Sequence, residues 1–236
     1  MAGNRFQFGD AIQKANDAIW AENWTESVTW YRRALAEFPD DAATLMGYAW
    51  ALLNTRAYDE AIRVYQKLIK INPADPGPYE RIAEMRERKG EPAAAAQLYT
   101  QAAGLYRAQG LTAKALACWE ASVRLETGNI AVWEQLLAYY REQQNIEKAV
   151  LADLWLAYLY QDSDRNAASG VCRQMQEFAP HEPRLGQAFM MLQTGRSIPE
   201  PTAFHVSRAA SGAEPAPSAT VTDPADEPRG PPTDIA

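Results

Sequence analysis

Up to Gly195, apolar residues recur at intervals of three and four, the spacing that lines one face of an α-helix. Leu45, Tyr48, Ala49 and Leu52 form one such stripe, and Tyr58, Ala61, Tyr65 and Leu68 form another. Further along, the pattern predicts helices over 78–89, 92–109 and 112–126, then over 130–143, 146–161 and 164–178. A last helix is expected over 183–194, with Gly195 suited to the left-handed position that follows many helix C-termini. Asp75 and Pro76 read as a helix start, because the carboxylate can cap free backbone N–H groups and proline has none to lose in the first turn.

The stripes themselves repeat. Pro39 and Pro73 lie 34 residues apart, and Trp24, Ser27, Tyr31 and Ala34 ahead of the first match Tyr58, Ala61, Tyr65 and Leu68 ahead of the second. Small residues such as Ala49 and Ala61 let two helices approach closely. Large ones such as Leu45, Tyr48 and Tyr65 fill the space between neighbouring pairs, and each proline stops the second helix. Beyond residue 78 the period lengthens to about 54, aligning Tyr79 with Trp133, Ile82 with Leu136, Ala95 with Ala149 and Tyr106 with Tyr160. The middle helix of each three-helix set fits the pattern twice. Either it is shared between neighbouring pairs or one unit is offset there, and regular geometry is expected to be interrupted near 92–109 and 146–161.

Over about residues 8–180 this arrangement resembles the tetratricopeptide repeat family, whose 34-residue unit is two antiparallel helices. The resemblance implies an all-α fold: a right-handed superhelical solenoid of antiparallel helix pairs, each stabilised by stacking on its neighbours. It also implies that the first helix of each pair lines a concave groove that receives a segment of a partner protein. Carried over residue by residue, the groove positions become Asn16 and Trp20, then Met46, Trp50, Leu53 and Asn54, then Glu80, Arg81, Glu84 and Arg88. The first group departs from the family, since Ala11, Lys14 and Ala18 stand where large residues are usual. An alternative stays open for Met46, Trp50 and Leu53, which could instead pack on the preceding helix or on the segment containing Phe6 and Phe8. Members that clamp a peptide's terminal carboxylate use five polar residues. Asn16 and Arg81 match two of them, but Ile12, Gly47 and Gly77 replace the rest, so a clamp of that kind is not expected.

Composition sharpens the partner class. A net charge of -7 and a pI near 5.0 disfavour a nucleic-acid ligand. The longest apolar-rich stretch, 149–160, is interrupted by Asp153 and too short for membrane insertion. Two distant cysteines, Cys118 and Cys172, exclude a disulfide framework and suit the cytoplasm. Histidine occurs twice, at His181 and His205, and no phosphate loop, HExxH or CxxC appears, so neither catalysis nor a cofactor or metal is expected. The repeat domain is assigned to 1–196. Residues 197–236, with eight of the chain's 15 prolines and none of its tryptophans or tyrosines, are expected to form a disordered tail. The leading reading is a scaffold or adaptor for a protein or peptide. The alternatives are a homo-oligomer assembling through solenoid ends or the convex face, and, more remotely, an enzyme.

Overall fold

The computed structural model describes residues 3–201, and among these the secondary structure is eleven α-helices. They are α1 (Arg5–Trp20), α2 (Trp24–Glu37), α3 (Ala42–Asn54), α4 (Tyr58–Ile71), α5 (Pro76–Arg88), α6 (Pro92–Ala108), α7 (Thr112–Leu125), α8 (Ile130–Glu142), α9 (Ile146–Tyr160), α10 (Arg165–Phe178) and α11 (Pro183–Gln193). The chain divides into two compact units, with the division between Ala115 and Leu116 inside α7. In each unit successive helices pack antiparallel on one another. Most of the expected tail, residues 202–236, lies outside the described residues. Its first five positions are described, and there Ile198 and Pro201 are buried.

Polar side chains start the helices. Asn4, Asn23, Asp41, Asp75, Asn129, Asn145 and Asp164 each accept a hydrogen bond from a backbone N–H of the turn that follows. Pro76, Pro92 and Pro183 occupy the first turns of α5, α6 and α11.

The ends recur as regularly. The backbone N–H groups of Asn23, Ala57, Glu91, Leu111, Asn145 and Arg196 each donate to the carbonyl five residues earlier, at 2.8–2.9 Å. The residue just before each, namely Glu22, Arg56, Gly90, Gly110, Gln144 and Gly195, is left-handed, which is the Schellman closure of a helix. Glu22, Arg56 and Gly90 follow one another at the 34-residue period, as do Gly110 and Gln144. Gly90 and Gly110 break that spacing because α6 both follows such a turn and ends in one.

The 54-residue spacing also holds in hydrogen bonds. Tyr79 Oη donates to the Pro73 carbonyl, and 54 residues on Trp133 Nε1 donates to the Thr127 carbonyl. Tyr106 Oη donates to Glu80, and Tyr160 Oη donates to Glu134. In the second unit, α9 packs on α8, α10 and α11, and eight of its residues from Ala149 to Ala157 are buried. A helix covered on most sides needs apolar residues on most sides, which is why its stripe is hard to see in sequence.

In the first unit one core runs from Ala15 and Ile19 through Tyr31, Leu45, Tyr48, Leu52 and Tyr65 to Ile82 and Met85. Tyr31 reaches from α2 to the surface between α1 and α3, where its Oη donates to Asn16 Oδ1 at 2.8 Å. Burial raises its pKa to about 12, so it stays a neutral donor. A Cβ added at Gly47 would stand 2.6 Å from the Tyr31 Cζ and Oη atoms. The ring cannot retreat without giving up the Asn16 bond. Glycine-to-alanine changes inside helices usually stabilise by about 1 kcal/mol. Gly47→Ala should do the reverse, with a net loss of about 1–2 kcal/mol in urea denaturation. A gain in stability would show that Tyr31 does not fill the space over Gly47.

Candidate functional site

The sequence-predicted groove positions of α1 and α3 separate into two kinds. Trp20 is 69% exposed and Met46 38% exposed, so both are available from solvent. Trp50 and Leu53 are half-buried and pack on the core of the first unit. The Trp50 ring meets Trp24 of α2 edge-on, with centroids 4.8 Å apart. Phe8 packs on Phe38 rather than on α3, leaving the face of Met46 uncovered by the N-terminal segment. Asn54 sits in the last turn of α3 and donates to the Trp50 carbonyl, while Asn16 accepts from Tyr31.

The charged positions of α5 are tied down locally. Arg81 pairs with Glu84 one turn on, at 2.9 Å, and Glu80 accepts from Tyr106. Arg88 is exposed at the end of the helix. Nearby, Lys89 bridges Asp59 and Glu91, and Arg86 also pairs with Glu91. The two residues matching a carboxylate clamp, Asn16 and Arg81, thus have partners within the chain. The Tyr31 ring covers Gly47, and the Gly77 N–H donates to the capping Asp75.

Sequence reasoning passed over two surfaces. Phe6 stands 84% exposed on α1. In the second unit, Val123, Trp133, Leu136, Tyr140, Leu151 and Trp155 line a cleft of about 390 Å³, with Glu120, Arg124 and Lys148 among its polar residues. Trp133 and Trp155 stack there at 5.4 Å, and Lys148 reaches Glu120 at 2.7 Å. The alignment of Tyr79 with Trp133 was visible in sequence. The pairing with Trp155 was not, because that residue comes from a different helix.

With this geometry in view, the class of protein is an all-α array of helices that pack on their chain neighbours. Residues 12–76, from α1 to the start of α5, match the family model described as tetratricopeptide repeat, so this stretch carries tetratricopeptide repeats. Among solved structures it is similar to the MamA protein, with 12% identity over 75% of this chain and 94% of that one and a TM-score of 0.39. A tetratricopeptide repeat protein from Parabacteroides merdae is similar over 82% of this chain and 81% of its own, at 13% identity and a TM-score of 0.39. Pseudomonas aeruginosa pilF matches over 81% and 99%, at 13% identity and a TM-score of 0.36. No curated protein matches the sequence.

Other reactive groups are scattered among the described residues. Cys118 and Cys172 are buried, and burial pushes the Cys172 thiol up to about 12, far from a reactive thiolate. His181 is exposed in the turn between α10 and α11. Among the described residues no group of three metal-ligating side chains occurs, and no helix is long and apolar enough to cross a membrane.

Asp153 is the exception to the usual solvated carboxylate. It is 1% exposed within α9, its Oδ2 has no hydrogen-bond partner, and burial raises its pKa to about 7 against a smaller opposing pull from Arg141 of α8. It stands 54 residues after Tyr99, while Arg141 stands 54 after Glu87, to which Tyr99 donates in the first unit. The folded state holds the proton more tightly than the unfolded chain. Stability is therefore fully present below about pH 4 and declines as pH rises towards 7. Asp153→Asn should remove that slope, leaving the variant more stable than the parent at pH 7.5 by up to roughly 4 kcal/mol, and near parity at pH 4. Urea titrations at both pH values would read the difference. Parallel pH profiles for the two proteins would refute the assignment.

Proposed function

We propose that this chain is a non-catalytic interaction scaffold that holds a segment of a partner protein along the first helices of its N-terminal unit. The observation that carries the reading is the exposure of Trp20 and Met46 on α1 and α3, one turn or more from the half-buried Trp50. An aromatic ring and a thioether left in water on adjacent first helices are the groups that protein interfaces enrich. Glu80, Arg81, Glu84 and Arg88 on α5 supply a polar margin that can fix the direction of the bound segment. The tetratricopeptide-repeat match over residues 12–76 supports protein binding in general terms. Two buried cysteines outside any disulfide fit a reducing cytoplasm, and residues 1–196 are taken as the repeat domain with 197–236 as its tail.

Self-association is the second reading. It is favoured by Phe6 and Trp20, both exposed on α1. A dimer that forms with rising concentration and is lost in Phe6→Ser would support it.

The structure also decides which substitution tests the scaffold. Trp50 packs on Trp24, so replacing it would disturb the fold as well as any interface. Trp20→Glu with Met46→Glu leaves the core untouched. The pair should reduce capture of partners from native lysate by roughly 30-fold, with the melting temperature unchanged within about 2 °C. Undiminished capture by the doubly substituted protein would remove this face from consideration.

A further inference from the structure

We infer that the surface over the turn between α9 and α10 is a recognition site for an extended apolar-Pro-x-Pro segment of a partner protein, which the chain's own Ile198–Pro201 fills when no partner is present. After α11 the backbone turns at left-handed Gly195, beside Arg165 at the start of α10, and crosses to the end of α9. Ile198 is 2% exposed there and Pro201 is fully buried, while Pro199 and Glu200 between them are exposed.

That alternation follows from the residues. Pro199 and Pro201 fix their own φ near about -65°, and each pushes the residue before it out of the helical region. The segment Ile-Pro-Glu-Pro is thereby biased towards a left-handed extended helix of three residues per turn, which places its first and fourth side chains on one side. Those two are the buried ones.

The site is built to read backbone as well as side chain. Gln161, itself 6% exposed at the C-terminus of α9, accepts from the Ile198 N–H through Oε1 at 2.7 Å. Its Nε2 donates to the Ile198 carbonyl at 3.3 Å. A side-chain amide that bonds both groups of one extended residue does what a neighbouring strand would do. Any chain with the same spacing satisfies it equally. The occupant is a covalently attached strap, and residues 202–236 continue beyond it. A tethered segment competes at high effective concentration, so a partner must match the pattern to displace it.

The probe is a capped peptide with the sequence of residues 196–202, titrated by fluorescence polarisation against the full chain. Against a protein carrying Ile198→Ser and Pro201→Ser, which disarms the strap, the peptide should bind saturably. It should bind the unaltered protein at least tenfold more weakly. Adding Gln161→Ala to the disarmed protein should abolish binding, as should replacing the peptide's own Ile and final Pro by Ser. No saturable binding to a disarmed protein with unchanged circular dichroism would overturn the inference, and so would indifference to Gln161. Where the disarmed protein does not fold, hydrogen exchange of residues 195–201 in the unaltered protein decides. Faster exchange with excess peptide supports displacement, and unchanged exchange overturns it.

Discussion

The close approach of helices through alanine is the constraint on which the rest of this structure depends. Ala15, Ala34, Ala49, Ala61, Ala83, Ala95, Ala102, Ala115, Ala149 and Ala168 all have zero exposure. A methyl group at these points brings two backbones together and lets larger neighbours such as Tyr65, Leu52 and Leu136 interlock. Helices of 11–17 residues have little stability alone, so each depends on the helices before and after it. After α1, α3, α5, α6 and α8 a left-handed turn leads directly into the next helix. Glu22, Arg56 and Gln144 accept this conformation although they carry side chains, which shows how strongly the flanking pairs dictate it.

Much of this was legible in the chain itself. Asp75 followed by Pro76 announces a helix start, and Asp75 does cap the N–H of Gly77. The prolines at 39 and 73 give the period, and the 54-residue offset reappears as paired hydrogen bonds from Tyr79 and Trp133. What was not legible depends on contacts between helices. Trp50 and Met46 lie on one face by spacing, yet Trp50 has Trp24 against it and Met46 has open solvent. Gly47 reads as a missing clamp residue in sequence, whereas in space it is the floor on which Tyr31 rests. Ile198 lies in a proline-rich stretch whose composition suggests nothing to bury, but two hydrogen bonds from Gln161 and the stiffness of two prolines hold it in place.

The two units invite different uses. The first leaves Trp20 and Met46 exposed to solvent, while its charged residues Arg81 and Glu84, and Lys89 and Asp59, pair with one another. The second turns its polar chemistry inward, with Asp153 enclosed in α9 and Gln161 occupied by the strap. Both arrangements arise from one repeat pattern, because a residue changed at a shared contact, as from Tyr99 to Asp153, alters the interior without altering the path of the helices.

Hydrogen exchange of the full chain with and without a captured partner tests the binding face most directly. Protection should concentrate in residues 12–20 and 43–54, the outward faces of α1 and α3, with the buried stretches of α2 and α4 little changed. Protection confined to residues beyond 116, or absent altogether, would contradict the assignment of partner binding to the N-terminal unit.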